Sequence, residues 1–294
     1  MMSFNRIVKV ITILISCSLS EASFAQNGNE TVGNKTNDQT NKMSFPGGIV
    51  ELRINKESDQ LPTVKFGTKE PIIIEQAEEW RILLGLNLNT LPGDYLVYVK
   101  RATKDSSAFN LKFTVAQKKY LLSDSVISAK NMALFRQSHS SLSNIDFTNS
   151  EQPSLPLQLP IEGRWQDSFG TLFQSQNDKT LIKQNLVSYQ AIPYAAVRAP
   201  QNAIVSNIVL NGSGQTTIYL DHGRGLYSIL SGLSDLTVEI GNGVVAGAVL
   251  GKMLPINSDQ QPENYLAATP MLSWQIVMND NYINPLLLTD TYIN

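Results

Sequence analysis

Between Ile49 and Ala116 the chain alternates short apolar runs with turn residues about every ten positions. The runs Ile49–Ile54, Thr63–Phe66, Pro71–Gln76, Trp80–Leu88, Tyr95–Lys100 and Phe109–Ala116 are too short for helices and rich in β-branched and aromatic residues. Phe66-Gly67-Thr68 and Leu91-Pro92-Gly93-Asp94 punctuate them. This spacing predicts a small β-sandwich. A second set follows a proline boundary at Pro153 and Pro156: Ala203–Leu210, Thr216–Leu220, Gly225–Leu230, Thr237–Ile240, Gly247–Leu250 and Leu272–Met278. Asn211-Gly212-Ser213-Gly214 reads as a hairpin tip. The helical periodicity in the chain is confined to Asn131–Leu142, in the connecting stretch. The fold expected is therefore all-β, with two successive β domains.

The ends of this pattern set the domain plan. Met1–Arg6 is short and carries Arg6, an apolar stretch runs from Ile7 to about Leu19, and Ser23-Phe24-Ala25 supplies small residues before Gln26. That order is a secretory signal, too short and too interrupted to span a bilayer. Residues 26–45 hold almost nothing apolar and read as a flexible tether. The division expected is 1–25 signal peptide, 26–45 tether, 46–120 N-terminal β domain, 121–156 connector with a helix, and 157–294 C-terminal domain. The mature protein is expected in the periplasm, without a transmembrane span.

Composition narrows the functions open to the chain. It has 294 residues, 42% of them hydrophobic and 16% charged, with 23 basic against 25 acidic side chains. That supplies a core but no basic surface for a phosphate backbone, so nucleic acid is excluded as a partner. The one cysteine, Cys17, follows Leu14-Ile15-Ser16 in a stretch that resembles a bacterial lipobox. Cleavage after Ala25 is the preferred reading, and lipidation at Cys17 the alternative. Neither leaves a disulfide framework.

The second half carries motifs in a fixed order. They are Val197-Arg198-Ala199-Pro200, then Tyr219-Leu220-Asp221-His222-Gly223-Arg224-Gly225-Leu226-Tyr227-Ser228, then Leu233-Ser234, the glycine-spaced run Gly241–Gly251, and Asn284-Pro285-Leu286-Leu287-Leu288. Together, from about Ile161 to Leu288, they resemble the M23 (LytM-like) family of peptidoglycan metallopeptidases. Phe45-Pro46-Gly47-Gly48-Ile49 and the strands after it resemble the N-terminal β domain that some members carry. The resemblance implies a Zn²⁺ held by a His and an Asp of H-x-x-x-D and the second His of H-x-H, with two further assisting histidines. Catalytic zinc takes three such deprotonated donors and keeps an open position.

Position by position, the ligands are absent. The resemblance puts the H-x-x-x-D pair at Gln184 and Ser188, the assisting His of Y-x-H-L at Gly232, and the two His of H-x-H at Met271 and Ser273. The chain contains two histidines, His139 and His222, so no shift of alignment restores the set. Asp221 and His222 are neighbours on a strand and point to opposite faces, which disfavours a dyad. The expectation is a catalytically degenerate member, not an enzyme, with no cofactor. Tyr189, Tyr227 and Trp274 are candidates to line the emptied groove, against the alternative that they are core. The partners this implies are a cell-wall amidase or another envelope protein, or peptidoglycan itself. A structural role in an envelope or secretion complex and an unconventional hydrolase are the remaining alternatives.

Overall fold

The computed structural model describes residues 39–41, 44–103, 107–127, 149–161, 164–166, 169–176, 179–210, 215–254 and 270–290. The expected signal peptide, Cys17, the expected helix over Asn131–Leu142, His139 and the expected hairpin tip at Asn211–Gly214 lie outside them.

The described elements are β throughout, apart from a 3-10 turn at Pro285–Leu288 capped by the Asn284 side chain, which accepts from Leu286 N at 3.2 Å. The N-terminal strands are β1 (Gln39–Asn41), β2 (Ile49–Asn55), β3 (Thr63–Lys65), β4 (Ile72–Glu75), β5 (Glu79–Gly85), β6 (Gly93–Lys100) and β7 (Phe109–Val115). Then follow β8 (Leu122–Ile127), β9 (Arg164–Gln166), β10 (Leu172–Ser175), β11 (Leu181–Lys183), β12 (Val187–Gln190) and β13 (Ala196–Arg198). The C-terminal strands are β14 (Ala203–Leu210), β15 (Thr216–Gly223), β16 (Leu226–Ser234), β17 (Gly243–Val244), β18 (Val249–Met253), β19 (Met271–Met278) and β20 (Asn281–Ile283). None of the described helices is long and apolar enough to cross a membrane.

The sandwich forms because its strands alternate. In β6 and β7, Val97, Val99, Leu111, Phe113 and Val115 point inward while Asp94, Lys100, Lys112 and Thr114 remain outside. The sheet β3-β6-β7 thereby packs on the sheet β1-β2-β5-β4 across Val50, Leu52, Ile54 and Trp80. Strand β4 departs from alternation, since Ile72, Ile73 and Ile74 are all buried. A continuous apolar run marks a strand covered on both faces. Ile73 faces the sandwich, whereas Ile72, Ile74 and Leu83 join the core of the C-terminal half. One apolar interior thus runs between the two halves, and at about 25 cal/mol per Å² such burial is the main term holding them together.

The C-terminal half is built on a ten-stranded sheet whose main path is β17-β14-β15-β16-β19-β12-β9, with β13, β18 and β20 paired at its margins. Its core face carries Ile218, Leu220, Leu226, Leu230, Leu272 and Ile276. The hairpin β15–β16 turns on Arg224 and Gly225, both left-handed at φ 46° and 82°, the geometry that suits the twist of a tight hairpin.

The sequence reading did not name the short strands β9–β13, β17 and β20, and three further elements differ from it. Gln39–Asn41, assigned to the tether, adds an edge strand to β2, with Gln39 opposite Arg53. Edge pairing draws on main-chain hydrogen bonds and needs no apolar side chains. Leu122–Ile127, assigned to the connector, pairs parallel with β10. Thr237–Ile240 is not a strand; it is held by single bonds, Thr237 N to Leu250 O at 2.9 Å and Thr237 Oγ1 to Val249 O at 2.7 Å.

Candidate functional site

Of the residues that the resemblance aligns with the zinc site, Ser188 and Ser273 come together on the outward face of the large sheet. Register places Ser188 of β12 opposite Ser273 of β19, and Ser273 opposite Ser231 of β16. Ser231 in turn stands opposite Thr217 of β15, and their hydroxyls lie 2.8 Å apart. Four hydroxyl side chains therefore form a row across four strands, over three gaps of about 4.8 Å each. Directly opposed residues have Cβ atoms about 5 Å apart, so position 188 and position 273 are within common reach of one small ligand. Met271 is the next outward residue on β19 and pairs with Gln190. Gln184 stands just before β12, its main chain tied to Gly170 and Thr171 at 2.6 and 2.9 Å.

This donor set does not fit zinc. Zinc ligands are imidazole, thiolate or carboxylate at about 2.0–2.3 Å. The row offers neutral hydroxyls, an amide at Gln184 and a thioether at Met271. Among the described residues no group of three or more His, Cys, Asp or Glu side chains is placed to hold a metal ion. Gly232 adds a steric reason. Its φ is +106°, and a Cβ there would sit 2.6 Å from the Met271 carbonyl oxygen. An imidazole at 232 would require β16 to move against β19.

Of the three candidate groove aromatics, two are in the core. Trp274 and Tyr189 are 0% and 1% exposed, and their rings pack 6.3 Å apart on the inward face. The period of two decides this: Ser273 and Ser188 face outward, so Trp274 and Tyr189 must face inward. Tyr227 is also buried, but it borders a cleft at the other end of the sheet, beside Arg224 and Asn279. Burial, then the nearby Asp221 and Asp280 carboxylates, push its phenol above the ordinary range, so it remains protonated.

Asp221 and His222 do project to opposite faces. The Asp221 carboxylate accepts from Gly223 N at 2.9 Å and Asn149 N at 3.2 Å; burial raises its pKa against those two bonds. His222 lies in the core. Its Nδ1 donates to Asn202 O at 2.9 Å, which makes Nε2 the acceptor for the Ser228 hydroxyl at 2.8 Å. Ser228 Oγ in turn accepts from Trp274 Nε1 at 3.3 Å. Burial lowers the His222 pKa to about 4. Ser228 and His222 form the pair a hydrolase would use, but with Ser228 at 0% exposure no substrate reaches it. The chain of bonds instead satisfies three polar groups inside an apolar sheet face.

Three features here were not read from the sequence. Ser228 sits at an inward position between Leu226 and Leu230, a polar interruption whose partner could have been sought in the nearby His222. Gln275 Nε2 donates to Asn185 Oδ1 at 2.9 Å, both side chains buried, with Gln275 on the same strand face as Ser273. Arg224 reaches from the hairpin tip to the N-terminal half; no sequence signal marks that contact.

Comparison with known proteins bears on the fold. Residues 183–285 match the model of peptidase family M23. No curated protein matches the chain. A crystal structure of a candidate peptidase M23 from Pseudomonas aeruginosa is similar over 84% of this chain and 95% of its own, at 21% identity and a TM-score of 0.61, and shows that the two-part β fold is shared. A zinc-containing peptidase from Vibrio cholerae matches at 9% identity and a TM-score of 0.36, over 66% of this chain and 78% of its own. Lysostaphin from Staphylococcus simulans matches at 16% identity and 0.36, over 49% and 56%. The similarity to peptidase family M23 thus lies in the C-terminal half, at residues 183–285.

Proposed function

We propose that this is a non-catalytic M23 protein of the cell envelope, which works on peptidoglycan indirectly by binding and regulating a wall hydrolase such as an amidase. The contact surface is the sheet face where active relatives hold zinc. The observation that carries this reading is Ser188 in register with Ser273, two hydroxyls where zinc chemistry needs a carboxylate and an imidazole. The scaffold around them is intact, and a rigid polar sheet face suits recognition of a partner segment. A periplasmic location follows from the N-terminal signal sequence.

The test uses purified mature protein and isolated sacculi, with zinc measured on the same sample. The expected result is no stoichiometric zinc, no muropeptide release by the protein alone, and faster release when a resident amidase is present. Muropeptide release by the protein alone, with bound zinc, would overturn the proposal. A second reading is favoured by the uncharged row itself. Thr217, Ser231, Ser273 and Ser188 offer neutral donors and acceptors, the chemistry that recognises a polyhydroxylated glycan. Co-sedimentation with sacculi that is lost when Ser188 and Ser273 are replaced by valine supports that reading; no sedimentation removes it.

A further inference from the structure

A second site lies away from the hydroxyl row. The tips of β15–β16 and β19–β20 meet the N-terminal half around a cleft of about 780 Å³, within the roughly 300–1,000 Å³ of small-ligand sites. From Tyr227, which borders the cleft, to Ser231 of the row is four residues of β16, or about 13 Å. Its lining includes the apolar Leu61, Pro62, Val64 and Pro71 and four charged side chains: Lys69, Glu70, Arg224 and Asp280.

Two of the four are paired with each other. Lys69 Nζ donates to Asp280 Oδ2 at 2.9 Å and to Asn279 O at 3.0 Å. The other two are not paired. Arg224 Nη1 donates to Ile73 O at 2.8 Å and Nε to Ser150 O at 3.3 Å, both neutral carbonyls. No carboxylate among the described residues pairs with its guanidinium, and Nη2 is uncommitted. Those carbonyls fix the head group, so an incoming anion meets a preorganised donor. Glu70 uses its main-chain oxygen to accept from Asn279 Nδ2 at 2.7 Å. Its carboxylate has no cation partner among the described residues. An unpaired cation and an unpaired anion thus share one cleft without reaching each other.

The charges indicate what could bridge them. Arg224 is clipped to Ile73, and Glu70 lies three residues earlier in the chain, both lining the one cleft. A ligand with a carboxylate at one end and an amine at the other, as a short peptide has, answers both charges. We propose that this cleft binds a short peptide with free ends, its carboxylate on Arg224, its amine toward Glu70, and its central side chain against Leu61 and Pro62. The proposal is independent of the function assigned to the hydroxyl row.

The test is calorimetric titration of the full mature chain with Ala-Leu-Ala, its C-terminal amide and its N-acetyl form. The free peptide is expected to bind. The amide is expected to bind about tenfold more weakly, because it loses a charge-assisted contact with Arg224. The N-acetyl form should also weaken, and Glu70→Gln should remove that difference while leaving the penalty for the amide. Arg224→Gln should make the acid and the amide equal. Arg224 also clips the hairpin to Ile73, so melting curves accompany that variant; if it unfolds, the three peptides on the wild-type protein and Glu70→Gln decide. Equal affinity for acid and amide on the wild-type protein, or no binding at millimolar peptide, would overturn the proposal.

Discussion

His222 makes the stability of this protein depend on pH in a calculable way. The imidazole is buried between Asn202 and Ser228, and burial lowers its pKa from 6.5 to about 4. The folded state therefore prefers the neutral ring, whereas the unfolded chain takes up a proton near the ordinary value. A group whose folded pKa is depressed contributes stability that is present above the unfolded pKa and lost as pH falls through the folded one. At about 1.4 kcal/mol per unit, the whole effect is about 3 kcal/mol. Between about pH 7.5 and pH 5 the linkage relation gives a loss of about 2 kcal/mol. Other groups also titrate over this range or below it. Asp221, raised by burial, acts in the opposite sense, and Glu51, lowered by its Arg81 and Arg53 partners against its own desolvation, loses stability at lower pH. Both are common to wild type and to His222→Gln, so they cancel in the difference. Urea unfolding of the two proteins should show wild type losing about 2 kcal/mol more than His222→Gln across that interval. Equal pH slopes would refute the burial argument and indicate that His222 is open to solvent.

Trp274→Ala should cost about 3–5 kcal/mol, as for a large core aromatic, with any binding loss following unfolding in the same urea titration; a stable variant that had lost only binding would return Trp274 to a groove. Gly232→Ala should destabilise by at least about 2 kcal/mol, from its left-handed φ and the contact with Met271 O, read as a drop in urea midpoint at unchanged slope. The combined replacement Gln184→His, Ser188→Asp and Ser273→His should take up stoichiometric zinc by elemental analysis; a folded variant that takes up none would show that these positions do not converge.

That Gln184, Ser188, Gly232, Met271 and Ser273 carry no imidazole, thiolate or carboxylate is legible in the sequence because it concerns residue identity. It needs a family comparison but no geometry. The fate of the aromatics was not legible. Trp274 and Tyr189 stand beside outward-facing serines in a run where both faces carry residues that suit burial. Only the strand register shows which of two neighbours is inward. The alternation in β6 and β7 made those strands easy to place, while Gln39–Asn41 was missed because pairing through the main chain leaves no hydrophobic mark.

The sequence by itself determined an all-β chain, a polar N-terminal stretch, and the uncharged side chains at the five positions that the family resemblance aligns with zinc-site residues. Apolar spacing and side-chain chemistry are local properties, so they can be read one residue at a time. The tertiary structure decided that four hydroxyls align across β15, β16, β19 and β12, that His222 bonds Ser228 in the core, and that Arg224 and Glu70 share a cleft. Each joins residues from separate segments, and such meetings depend on strand order and register, which are set by how the whole core packs.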